Sequence, residues 1–151
     1  MLDEVWLYTD GAARGNPGPA AAGFRILKSG EELLFEHAES LGNRTNNQAE
    51  YTALISGLKA CCAYTRNRVR VGSDSELMVN QMRGAWRVKH PELRRLHEEA
   101  HAQAAGFQEV SFDHYHRSHP EIVEVDRALN RLLDLEAGPN LSGATIPPNA
   151  R

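Results

Sequence analysis

Four acidic residues stand where folding alone would not place them. Asp10 closes the apolar stretch Val5-Trp6-Leu7-Tyr8-Thr9, directly before Gly11. Glu50 lies four and eight residues before Leu54 and Leu58, on the same helical stripe as those core candidates. Asp74 follows the strand-like run Arg68-Val69-Arg70-Val71-Gly72. Asp126 precedes Leu129 and Leu133 by three and seven residues, again on the apolar side of a helical pattern. Burying one unpartnered carboxylate costs several kcal/mol or shifts its pKa, and four in one place repel each other unless cations compensate them. Such an oxygen-only cluster suits hard divalent ions, Mg²⁺ or Mn²⁺. Two ions about 3.5–4 Å apart can activate a water and stabilise a leaving oxygen in phosphoryl transfer. Each carboxylate taken alone reads equally well as a helix cap or a solvated charge. Only their convergence points to chemistry.

The elements that must bring them together are legible. Val5 to Thr9 is rich in strand formers, and Gly15-Asn16-Pro17-Gly18-Pro19 is a turn or loop. Residues 22–27 and 32–36 form two arms of a hairpin around Lys28-Ser29-Gly30, so the first three strands predict an antiparallel meander. Thr45 or Asn46 caps a long helix whose apolar positions are Leu54, Ile55, Leu58, Cys61 and Cys62. A fourth strand over 68–72 and a short helix over 76–82 follow. Pro91 begins a helix running to about residue 105. A fifth strand over 110–115 and a last helix over 122–135 complete the order βββαβααβα. This is an α/β domain with a mixed five-stranded sheet and helices packed against it. It spans residues 1–137, and residues 138–151 read as a flexible tail.

Composition bounds the class. A chain of 151 residues with 41% apolar residues forms one soluble globular domain. No apolar run approaches the roughly 20 residues of a membrane helix, and the first residues lack a signal peptide's pattern, so a cytoplasmic protein is expected. Cys61 and Cys62 are sequence neighbours and are read as reduced. The net charge of -3 does not announce a binder of polyanions, which leaves Arg83 to Lys89 as the candidate basic stripe.

The motifs, taken in order, resemble a family. Tyr8-Thr9-Asp10-Gly11 with Gly15-Asn16-Pro17-Gly18-Pro19 is similar to the opening strand and loop of type 1 ribonucleases H. Thr45-Asn46-Asn47-Gln48-Ala49-Glu50 resembles their second motif, Ser73-Asp74-Ser75 the third, and His119-Pro120-Glu121 with Asp126 the fourth. The resemblance runs from about residue 5 to residue 135 and implies a ribonuclease H-like fold. It implies an endonuclease that cuts the RNA strand of an RNA–DNA hybrid, leaving 5′-phosphate and 3′-hydroxyl ends. Asp10, Glu50, Asp74 and Asp126 would then be catalytic and hold two Mg²⁺ or Mn²⁺ ions with substrate bound. Asn16, Asn46 and Asn47 would read the hybrid's minor groove and its 2′-hydroxyls, a task that suits amides. Turn and cap duty is the plainer reading of these asparagines, and the two are compatible. Thr45 resembles a residue that holds a phosphate of the DNA strand, which a helix N-terminus favours. The expected partner is the hybrid, with no membrane, and the expected state is a monomer.

The pattern departs from the family in places. Members carry a mobile histidine before the last aspartate, and here His114, His116 and His119 compete for that place. Counting back from Asp126 favours His116. A zinc site built from the three is an alternative, as are ordinary surface histidines. The basic handle helix of some members is missing, and Met82 to Lys89 stands in its place. There Trp86 would pack against a DNA sugar while Arg83, Arg87 and Lys89 meet phosphates, or else it covers the core. Glu76 occupies a position where some members contact RNA through glutamine, and its charge argues against that role. Two rival functions remain open at this point, a silent hybrid-binding module and a DNA nuclease of the same superfamily.

Overall fold

The computed structural model describes residues 1–29 and 31–138, so the expected tail lies outside the described residues apart from Gly138. The strands are β1 (Glu4–Ala13), β2 (Gly18–Lys28), β3 (Glu32–Arg44), β4 (Arg68–Ser73) and β5 (Glu109–His114). The helices are α1 (Asn46–Cys61), α2 (Glu76–Met82), α3 (Pro91–Ala104) and α4 (Pro120–Ala137). The order along the chain is the expected one. The sheet order is β3-β2-β1-β4-β5, with the first three strands antiparallel and β4 and β5 parallel to β1.

Alternation along β1 splits the core into two layers. Val5 and Leu7 face α1, where Tyr51, Leu54 and Leu58 bury with Val69, Val71 and Met78. Tyr8 faces the opposite side, against Leu27 and Ile122. Ile122, Val125, Leu129 and Leu133 are the buried face of α4, and the last three pack on Ala21. Truncating Leu129 or Leu133 to alanine in such a seam costs roughly 2–5 kcal/mol.

Strands β1 and β3 run longer than their apolar cores implied. Asp10 does not end β1. It pairs with Gly23 within the ladder, which continues to Ala13 opposite Ala20. Gly11, Ala12 and Ala13 carry no strand-forming side chain, so neighbouring strands rather than local propensity extend β1 through them.

Candidate active site

The site forms where β1, α1, β4 and α4 meet. Gly11 lets β1 and α1 approach backbone to backbone, since a Cβ there would lie 2.5 Å from the Ala49 carbonyl oxygen. The approach carries Glu50 Oε1 to 2.6 Å from the Gly11 amide, which donates to it. Thr45 sets the register of α1 through a reciprocal cap. Its hydroxyl accepts from Gln48 N at 3.1 Å, and its own amide donates to Gln48 Oε1 at 2.9 Å. Asp74 sits in the turn between β4 and α2. Ser75 N donates to Ser73 Oγ at 3.0 Å, and Ser75 Oγ caps Met78 N at 3.2 Å.

Carboxylate oxygens of Asp10, Glu50 and Asp74 lie within 4.8 Å of one another. Asp10 and Glu50 are buried and Asp74 is half-buried. Asp126 approaches the group from α4, close enough for its charge to raise Asp10, while its own Oδ2 accepts from Asn130 at 3.2 Å. The expectation that Asp126 belongs to the buried stripe of α4 is corrected, because it is exposed. Val125 holds the stripe position, and Asp126 follows it one residue later on the flank that faces the other carboxylates.

Crowding raises the proton affinity of the cluster. Burial, reinforced by the negative charges of Asp74 and Asp126, pushes Asp10 up to about 9. Burial is also the largest cause at Glu50, which is raised further by Asp10 and Asp74. Asp74 is raised by burial, an effect opposed in part by the nearby His114. Three mutually destabilised carboxylates with only oxygen donors fit a hard divalent cation, whose charge relieves their repulsion and offsets the cost of burial.

The predicted recognition residues lie in the β1–β2 loop, at the start of α1 and in the segment after α2. Asn46 N donates to Asn16 Oδ1 at 3.0 Å, and Asn46 Oδ1 accepts from Ala13 N at 3.3 Å. These two amides thus brace the β1–β2 loop against α1, the cap-and-turn duty foreseen for them, and each keeps an NH₂ group free of those bonds. Asn47 is half-buried on the first turn of α1. Thr45 borders a groove of about 550 Å³ that it shares with Arg44, Gln48 and Arg95. Trp86 is 44% exposed and lines a hollow with Leu77 and Leu93. Arg83 leaves the basic stripe, donating to the Phe112 carbonyl at 2.7 Å and pairing with Asp113 at 3.2 Å. Glu76 is exposed at the first turn of α2.

The three histidines separate. His119 caps α4, accepting from Glu121 N at 3.2 Å, and its ring lies 5.0 Å from that of Tyr8 and 4.7 Å from that of Tyr115. His116 Nδ1 faces Ser118 Oγ at 2.8 Å and accepts from Ser118 N at 3.1 Å. His114 Nε2 lies 3.2 Å from the Asp74 carbonyl oxygen. Among the described residues, Asp10, Glu50 and Asp74 are the only group of three or more candidate ligands set for a metal, so the zinc alternative is overturned. Sequence reasoning missed the place of His114. Its signal was the end position on β5, parallel to β4, which puts it opposite Ser73 beside Asp74.

Comparison with known proteins decides the lineage. Residues 8–124 match the family model described as "Reverse transcriptase-like". A Pseudomonas syringae ribonuclease H is 33% identical over 147 residues, covering 89% of this chain and 95% of that protein. The chain belongs to the type 1 ribonuclease H family. The ribonuclease HI of Halobacterium salinarum is 38% identical over 130 residues, covering 86% of this chain and 64% of that protein. The crystal structure of that archaeon's RNase H1 superposes with a TM-score of 0.82 at 37% identity, covering 87% of this chain and 98% of that one. LC11-RNase H1 in complex with an RNA/DNA hybrid gives a TM-score of 0.77 at 34% identity, covering 86% and 99% of the two chains. A bifunctional Mycobacterium tuberculosis protein is 36% identical over 135 residues, which cover 89% of this chain. This ribonuclease H family chain thus spans 64% of the length of its Halobacterium relative and 36% of that of its mycobacterial one.

Proposed function

We propose that this chain is an endonuclease that hydrolyses the RNA strand of RNA–DNA hybrids, leaving 5′-phosphate and 3′-hydroxyl ends. The convergence of Asp10, Glu50 and Asp74 carries the reading. The hybrid bound to the LC11 relative supports the substrate class. Two Mg²⁺ or Mn²⁺ ions held by Asp10, Glu50, Asp74 and Asp126 supply, when bound, the polarisation that activates water and steadies the departing oxygen.

The protein's own groups position and discriminate. Glu50 is fixed by the Gly11 amide, so it needs no reorganisation to act as a ligand. The Asn16 and Asn46 NH₂ groups, together with Asn47, offer donors to minor-groove acceptors and 2′-hydroxyls. The groove beside Thr45 pairs Arg44 with the N-terminus of α1, a fit for one phosphate of the DNA strand. Trp86 presents a flat apolar surface to a DNA sugar, with Arg87 and Lys89 beside it for phosphates. His116 carries the proton-transfer or product-release role. Its Nδ1 is held by Ser118, which directs the Nε2 edge away from that turn.

The 2′-hydroxyl is recognised and is not the nucleophile. Analysis of cleaved, 5′-labelled RNA tests this directly. Ends that carry 3′-hydroxyl groups support the scheme, whereas 2′,3′-cyclic phosphates refute it.

A further inference from the structure

Helix α3 carries His97 and His101, four residues apart and therefore on one face. Their Nε2 atoms lie 3.2 Å apart, and His97 Nε2 also lies 3.1 Å from the main-chain carbonyl oxygen of Gln81 in α2. The two rings stand edge to face with centroids 4.4 Å apart, and their Nε2 atoms, at 3.2 Å, lie closer together than the ring centres. A neutral imidazole has one N–H and one lone pair on separate nitrogens. Three basic atoms at this junction therefore gather around a single shared proton. Partial desolvation, with His97 beside it, holds the His101 imidazole below its ordinary pKa and keeps its lone pair available.

We propose that His97 Nε2 and His101 Nε2 chelate a divalent transition-metal ion of the zinc class, next to the Gln81 carbonyl and apart from the four carboxylates. With Zn–N bonds of about 2.0–2.1 Å, nitrogens 3.2 Å apart subtend about 100° at the ion, between octahedral and tetrahedral values. Each ring then carries its proton on Nδ1. His101 is exposed, which leaves the remaining coordination positions to water. Imidazole ligands favour zinc, nickel and copper over magnesium, so the two sites sort ions by hardness.

The junction also bears on the turn after α2. The Gln81 side chain accepts from the Tyr51 hydroxyl at 2.7 Å and donates to the Arg87 carbonyl at 3.4 Å. Gln81 thus ties α1 to the segment that presents Trp86, and an ion on His97 and His101 fastens α3 to the same point.

The test is titration of untagged, chelator-stripped protein with Zn²⁺ against a chromophoric competitor. It uses an Asp10→Asn/Glu50→Gln background to remove the carboxylate centre, with and without His101→Ala. One equivalent of Zn²⁺ should bind, His101→Ala should weaken it at least 10-fold, and excess Mg²⁺ should not displace it. His101→Gln serves as a second variant, and metal-free circular dichroism shows that each is folded. Affinity unchanged by both substitutions, or no binding at millimolar Zn²⁺, overturns the proposal.

Discussion

The Gly11 amide donates to Glu50 Oε1 across 2.6 Å, joining a strand and a helix whose backbones touch at that point. A side chain on residue 11 has nowhere to go, because the atoms it would meet are backbone. Gly11→Ala should therefore destabilise the fold by about 3 kcal/mol, the upper end of overpacking costs. It should also abolish cleavage by displacing Glu50. Urea denaturation measures the first effect, and an unchanged midpoint would mean that α1 can move away freely.

The acidic centre makes the metal-free protein pH-sensitive. Asp10 has a folded pKa of about 9, above its ordinary value, so its contribution to stability is fully present below about pH 4 and lost as pH rises through about 9. Asp10→Asn removes that loss. In EDTA at pH 8 the variant should melt a few degrees above the wild type, and the gain should vanish near pH 4. Saturating Mg²⁺ or Mn²⁺ should raise the melting temperature of the wild type more than that of the variant. Calorimetry at the two pH values checks both signs.

Much of this was legible in the sequence, and the failures have physical reasons. Ser75 before Glu76 and Thr45 three residues before Gln48 are local cap signals, so α2 and the start of α1 lay where spacing put them. Glu50 was readable because its own helix supplies the stripe. Asp126 was misplaced because three- and four-residue spacings both suit a helical stripe, so Asp126 and the adjacent Val125 fit Leu129 equally, and only packing on Ala21 decides between them. The contacts of His114 with Asp74 and of Arg83 with Phe112 depend on which strands are neighbours, information no window of sequence holds. The extension of β1 through Gly11-Ala12-Ala13 is tertiary in the same sense.

Arg83 and Arg87 should behave differently although both sit in the basic stretch. Arg83→Ala loses two contacts to β5 and should lower stability by about 1 kcal/mol or less, given its exposure. Arg87→Ala should leave melting unchanged and weaken hybrid binding. Its slope of log affinity against log salt should fall in magnitude by about 1. Binding by fluorescence anisotropy across salt concentrations separates the two. A flat salt dependence in the wild type would contradict phosphate contact at this edge.

Of the three histidines near α4, His116 should matter for turnover. His116→Ala should reduce kcat roughly 10- to 100-fold with little change in KM. His119→Ala should instead lower the melting temperature, since it removes a cap, the stack on Tyr8 and the tilted contact with Tyr115. Steady-state kinetics beside thermal melts tells the roles apart, and a kcat loss confined to His114→Ala would transfer the role to that residue.

The central claim is tested most directly with end-labelled RNA–DNA hybrid, single-stranded RNA and double-stranded DNA, each incubated with Mg²⁺, Mn²⁺ or EDTA. Metal-dependent cutting of the hybrid's RNA strand alone is the predicted result. Hybrid binding without cleavage of any substrate, or cutting of duplex DNA, would contradict it.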